Sequence, residues 1–147
     1  MQQPARFTNG VSARARELGK LDPWGFRALD GRPVGADVLV LGTTGAFVIV
    51  FAEVLVPSGG RVPGRSRVRR AARRFRALLA QAGVHVKPHM VVCPEGHAVF
   101  PARTARGVRV IPRARLTAEI TEHPSVLMPH QVGRAADSVS RELAKLR

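Results

Sequence analysis

Between Asp37 and Glu53 the chain reads Asp-Val-Leu-Val-Leu-Gly-Thr-Thr-Gly-Ala-Phe-Val-Ile-Val-Phe-Ala-Glu: two apolar runs around Gly42-Thr43-Thr44-Gly45, with an acid at each end. No other stretch restricts the fold as much. Continuous apolar runs of strand length, rich in Val, Ile and Phe, suit strands covered on both faces. Val38–Leu41 and Ala46–Val56 therefore read as a hairpin at the centre of an α/β sheet. Val38–Val56 also has 19 residues, about the length of a membrane-spanning helix. The Gly-Thr-Thr-Gly interruption, the β-branched second half and Glu53 oppose that reading, and no integral membrane segment is expected.

With 147 residues, 45% of them apolar, the chain has the length of one domain with one sizeable core. Residues 1–21 are expected to pack poorly, with Ser12 capping a short helix that carries Glu17 and Leu18 and ends at Gly19. The domain proper is expected over residues 22–147. A short strand at Phe26–Leu29 closes on the turn pair Asp30-Gly31, and Pro57-Ser58-Gly59-Gly60 ends the hairpin. Ser66 is the expected N-cap, and Gly83 the C-cap, of a helix running to Ala82. Its Val68, Ala71, Ala72, Phe75, Leu78, Leu79 and Ala82 gather on one face. Met90–Cys93 and Val108–Ile111 read as strands, with a turn at Cys93-Pro94-Glu95-Gly96. Leu116 and Ile120 mark a short helix ended by Pro124, and Pro129 opens a last helix with Val132, Ala135, Ala136, Val139, Leu143 and Leu146 on one stripe. Strands, helix, strands, helices in that order describe a mixed α/β single domain.

The charge is strongly one-sided: 24 basic against 10 acidic residues, a formal net charge of +14. Only Lys20, Lys87 and Lys145 are lysines. Two explanations stand side by side. One is a polyanionic partner, nucleic acid first and an anionic membrane surface second. The other is an Arg-rich coding bias. The arginines concentrate at Arg61, Arg65, Arg67, Arg69, Arg70, Arg73, Arg74 and Arg76, and no acid occurs between Glu53 and Glu95. On the helix, Arg69, Arg70, Arg73, Arg74 and Arg76 fall opposite the apolar face, as either a solvated surface or a track for a phosphate backbone with little sequence readout. The aromatic Phe75 falls on the core side, so base stacking is not expected from this helix. Gly59–Arg65 is a basic loop ahead of a helix N-terminus, and it matches neither the P-loop nor the dinucleotide fingerprint.

Cys93 is the only cysteine, so no disulfide closes within the chain. Met1–Gly10 has no apolar leader, and a cytoplasmic location is expected. His85, His89, Cys93 and His97 recur every four residues. On a strand, His89 and Cys93 would share a face about 13 Å apart, too far for one zinc. Cys93 is expected to be a buried structural residue.

Asp37, Gly42, Gly45 and Phe47-Val48-Ile49 together resemble the NERD (nuclease-related domain) family of the restriction-endonuclease-like fold. That family shows an Asp, an apolar strand, a Gly-x-x-Gly turn and a strand reading Phe-Val-Ile-Glu-x-Lys. The basic helix over Val68–Ala82, Gly107–Pro112 followed by Leu116, and Pro124–Val132 extend the similarity over most of Asp37–Leu146. The resemblance implies a sheet with a central hairpin flanked by helices, and metal-dependent phosphodiester cleavage. It also exposes departures. The family's Glu falls at Val50 and its Lys at Ala52, and a Gln often found on the long helix falls near Arg70.

Such cleavage needs a divalent cation held by oxygen ligands, with carboxylates converging from different elements. Glu-x-Lys aims both groups at one site because residues two apart on a strand share a face. Here Asp37 is the remaining candidate for a metal ligand, Glu17 is a distant second acid, and Glu53 is out of phase unless a β-bulge near Phe51 turns it. Asp37 also has a purely structural reading, as a strand-edge acid capping or pairing with Arg. The expectation is a nuclease-related domain with a degenerate site, needing no cofactor, that binds DNA or RNA non-specifically through the arginine helix. Two alternatives accompany it: a working nuclease using Asp37, a displaced Glu53 and Mg²⁺ or Mn²⁺, and a protein-interaction or membrane-surface module that keeps only the fold. The oligomeric state is left open.

Overall fold

The computed structural model describes Leu18, Leu21, residues 25–53, 62–95 and 101–146, with Glu53 described through its backbone. The Ser12–Gly19 helix other than Leu18, the Pro57–Gly60 turn, Glu17, Arg61 and His97 lie outside the described residues.

Strands β1 (Phe26–Asp30), β2 (Val38–Gly42) and β3 (Gly45–Glu53) form an antiparallel meander. Helix α1 (Arg65–Gln81) then precedes β4 (His89–Glu95), which pairs parallel to β3. A hairpin of β5 (Arg103–Ala105) and β6 (Val108–Val110) adds to the far side of β4, giving one six-stranded mixed sheet in the order β1-β2-β3-β4-β6-β5. Two helices follow, α2 (Leu116–Thr121) and α3 (Pro129–Lys145). Among the described residues, no helix is long and apolar enough to cross a membrane.

The apolar runs are continuous because both faces of the sheet are covered. Leu39, Leu41, Ala46, Val48, Val50 and Val92 pack with α1 and α3. Val38, Val40, Phe47, Ile49, Phe51, Val91 and Cys93 alternate onto the other face, against Leu116 and Ile120 of α2. Leu18 and Leu21, from the segment expected to pack poorly, are buried in that second core.

The Gly-Thr-Thr-Gly link is a two-residue hairpin turn in which Gly42 pairs with Gly45. Gly45 has φ +128°, a value open to glycine alone among common residues, and a Cβ at Gly42 would collide with the Phe26 ring. The threonines tie the turn to α2 and to the segment that follows it. Thr44 Oγ1 donates to Ile120 O at 2.6 Å, while Thr43 O accepts from Val126 N at 2.7 Å and Leu127 N at 3.1 Å.

Three local features differ from the sequence expectations. Ser66 lies inside α1; the N-cap is Gly64, at φ +82° and with no side-chain cap. A Cβ at Gly64 would stand 3.2 Å from Val50 Cγ1, so a close approach to the sheet selects the residue there. Second, β4 runs through Pro94 to Glu95 with no turn beginning at Cys93. Pro94 lies beyond the residues paired with β6, at an edge position where a missing N–H is tolerated. Third, β5 had no apolar signal of its own. Its turn is legible only from Gly107, since Arg106 and Gly107 sit at φ 54° and 81°, both in the left-handed region that two-residue hairpin turns use. At the C-terminus of α1 the C-cap is Ala82, and Gly83, the next residue, is left-handed, with Val84 N donating to Leu79 O at 2.8 Å.

Candidate nucleic-acid interface

At the C-terminal end of β3 the positions of the resembled Glu and Lys are occupied by core side chains. Val50 is buried and Ala52 half-buried, both packed beneath the Gly64 entry to α1. Phe47–Glu53 pair one to one with His89–Glu95, so the backbone carries no bulge at Phe51. Glu53 stands opposite Glu95 in that register, an odd number of residues from both Val50 and Ala52.

Asp37 precedes β2 and its carboxylate is engaged. Phe51 N donates to Oδ2 at 2.7 Å, and Arg67 Nη2 donates to Oδ1 at 3.1 Å. Arg67 Nε also donates to Gly35 O at 2.6 Å. Asp37 therefore secures the β2–β3 pairing to the first turn of α1. The described donor set does not fit Mg²⁺ or Mn²⁺: one carboxylate holding a backbone amide and an arginine, beside two aliphatic side chains, offers no second oxygen ligand. Among the described residues, no group of three or more His, Cys, Asp or Glu side chains could hold a metal ion.

Helix α1 divides the arginines. Its buried face, Val68, Ala71, Ala72, Phe75, Leu78 and Leu79, rests on β3 and β4. At 3.6 residues per turn, Arg67 and Arg74 fall on one flank and Arg69 and Arg76 on the other, with Arg70 and Arg73 on either side of the crest. Arg65 begins the helix, half-exposed. The second flank faces a concave groove of about 660 Å³ lined by Ser66, Arg69, Arg70, Ala72, Arg73, Arg76, Lys87, Pro88 and Met90. The lining includes five cationic side chains and no acid. All five cations are exposed. Among the described residues none of the five has a hydrogen-bond or ion-pair partner, whereas Arg27, Arg32, Arg67 and Arg109 each pair with a carboxylate.

Lys87, Pro88 and Met90 escaped the sequence reading. Lys87 is an isolated cation in a loop, and only the parallel β3–β4 pairing brings its segment beside the helix. An aromatic cluster on the opposite face of the sheet was also not foreseen. His89 stacks on Phe47 at 4.8 Å, and His123 lies 4.5 Å from His89 and 5.6 Å from Phe47 between ring centroids. Behind it, Arg109 grips Glu119 through two hydrogen bonds of 3.0 Å, and His123 Nε2 stands 3.8 Å from the same carboxylate. Burial pushes the His89 imidazole below its usual 6.5, the neighbouring His123 adds to the effect, and Glu119 opposes it. Cys93 lies farther along β4, buried, as expected.

No family model, curated protein or solved structure matches this chain. The class that fold and site define is a single mixed α/β domain with a basic groove along its crossover helix.

Proposed function

We propose that this is a nuclease-related-like domain of the restriction-endonuclease-like type, catalytically degenerate, that binds nucleic acid through its backbone without sequence preference. The order of hairpin, long basic helix, later strand and closing helices agrees with the resemblance. The packing of Val50 and Ala52 and the engagement of Asp37 favour loss of the chemistry. The observation that carries the binding reading is the groove: Arg69, Arg70, Arg73, Arg76 and Lys87 converge on one concavity with no acid among them. Surfaces without a polyanionic partner ordinarily mix both signs. Phosphates would replace the water around these guanidinium groups and release counterions, which makes affinity fall steeply with salt.

An electrophoretic shift assay tests this. The native chain is expected to shift mixed-sequence oligonucleotides at low salt and to release them as salt rises. Replacing Arg69, Arg73 and Arg76 by Ala should weaken the shift and make it less sensitive to salt. Absence of binding at low salt would overturn the proposal, and would favour a fold kept for protein interaction. Mg²⁺- or Mn²⁺-dependent cleavage lost in Asp37→Ala would overturn the degenerate half.

A further inference from the structure

The groove has two unlike walls. Arg69, Arg73 and Arg76 project from α1, and Lys87 stands across from them, exposed, on the segment that leads into β4. Between them the lining turns apolar, with Ala72 and Pro88 buried and Met90 half-buried. A cationic rim over an apolar base suits a ligand with charge along one edge and flat apolar faces along the other. Ser66 to Arg76 spans about 15 Å of helix at about 1.5 Å per residue. The volume lies within the range that encloses a drug-sized ligand, about 300–1,000 Å³.

A double helix meets these dimensions poorly. Its bases are paired inside the rod, and its nearest approach would be to the crest of α1, at Arg70 and Arg73, leaving the buried Pro88 and half-buried Met90 without a contact. A single strand can set its phosphates on the rim and turn unpaired bases inward, where guanidinium planes and the Met90 thioether offer flat or polarisable surfaces. The lining contains no Asn, Gln, Asp or Glu to read adenine or cytosine edges, and its Arg and Lys side chains are committed to the phosphates in this arrangement.

Resting on the nucleic-acid reading above, we infer that the groove between α1 and the Lys87–Met90 segment seats a short single-stranded stretch of nucleic acid, in preference to a duplex and without base specificity. Phosphates lie against Arg69, Arg73, Arg76 and Lys87, and at least one base lies against Pro88 and Met90.

The test is a fluorescence-anisotropy competition at low salt, in which an unlabelled oligothymidylate and a blunt duplex of equal length displace a labelled oligothymidylate. Direct titrations of Lys87→Ala and Arg74→Ala accompany it. Both variants remove one exposed positive charge, but only Lys87 lines the groove. The single strand is expected to compete at least tenfold better than the duplex, and Lys87→Ala to weaken single-strand binding several-fold more than Arg74→Ala. Equal or better competition by the duplex, or equal losses in the two variants, would overturn the groove assignment while leaving nucleic-acid binding intact. Absence of binding to either form would remove both.

Discussion

The N-terminal entry and the groove flank of helix α1 meet the rest of the domain in different ways. At its N-terminus, charge is consumed by the fold: Arg67 clasps Asp37 and Gly35, and Gly64 brings the chain down onto Val50 and Ala52. Along the groove flank, charge is left over: Arg69, Arg73, Arg76 and Lys87 approach one another with no counter-ion among the described residues. Placing like charges side by side costs stability unless a partner offsets it. The contrast separates a region where ionic groups build structure from one where they stand without a counter-ion among the described residues.

Restoring the resembled motif would test that contrast most severely. Val50→Glu with Ala52→Lys places ionisable groups in a packed layer under Gly64, and burying such charges typically costs several kcal/mol. The double variant is expected to lose about 3–5 kcal/mol in urea denaturation, and to gain no cleavage activity. A stable variant that cuts DNA with Mg²⁺ would erase the distinction between the two regions.

Next in size, Asp37→Ala removes an ionised acceptor from the Phe51 amide and the partner of Arg67. Hydrogen bonds to charged groups contribute about 1.5–3 kcal/mol, and with Asp37 30% exposed the expected loss lies near the lower bound. Nucleic-acid affinity should stay the same or rise, since Arg67 is released. A loss of affinity with unchanged stability would make Asp37 a ligand-contacting residue. Conversely, Arg69→Ala, Arg73→Ala and Arg76→Ala together should change stability by under about 0.5 kcal/mol per exposed site. The magnitude of the logarithmic salt slope should fall by about 2 for a single strand, at about 0.7 per phosphate contact.

Much of this division was legible in the residues themselves. The strand hairpin followed from uninterrupted apolar runs, and α1 from the spacing of Val68, Phe75 and Leu79. The absence of an acid and a lysine at the positions of the resembled motif followed from Val50 and Ala52. The groove was only half legible. One wall lies on a helix whose arginines are contiguous in sequence, but the other is a single lysine placed by parallel strand pairing, which local periodicity does not record. The His89–His123 stack escaped for the same reason, since its members are brought together by the clamp on the Thr43-Thr44 turn. Tertiary pairing likewise carried β4 through Pro94 where turn chemistry implied a stop.

The smallest expected effect concerns that stack. His89 has a lowered folded pKa, so the unfolded chain binds its proton more readily than the folded one does. Its contribution is unpenalised above the ordinary imidazole value of 6.5 and turns unfavourable as pH falls through that value toward the lowered one. Melting temperature should therefore decrease on acidification below pH 6.5, and His89→Phe should flatten the dependence while keeping the contact with Phe47. An unchanged slope in His89→Phe would assign the acid sensitivity to other groups.

The central claim is that the scaffold retains a phosphate-binding face after losing its cleavage site. Incubating the native chain with a labelled single-stranded oligonucleotide and Mg²⁺, and following anisotropy and strand integrity in the same sample across a salt series, tests both halves at once. Salt-sensitive binding of an oligonucleotide that stays intact is the predicted result; cleavage that requires Mg²⁺, or no anisotropy change at the lowest salt, would contradict it.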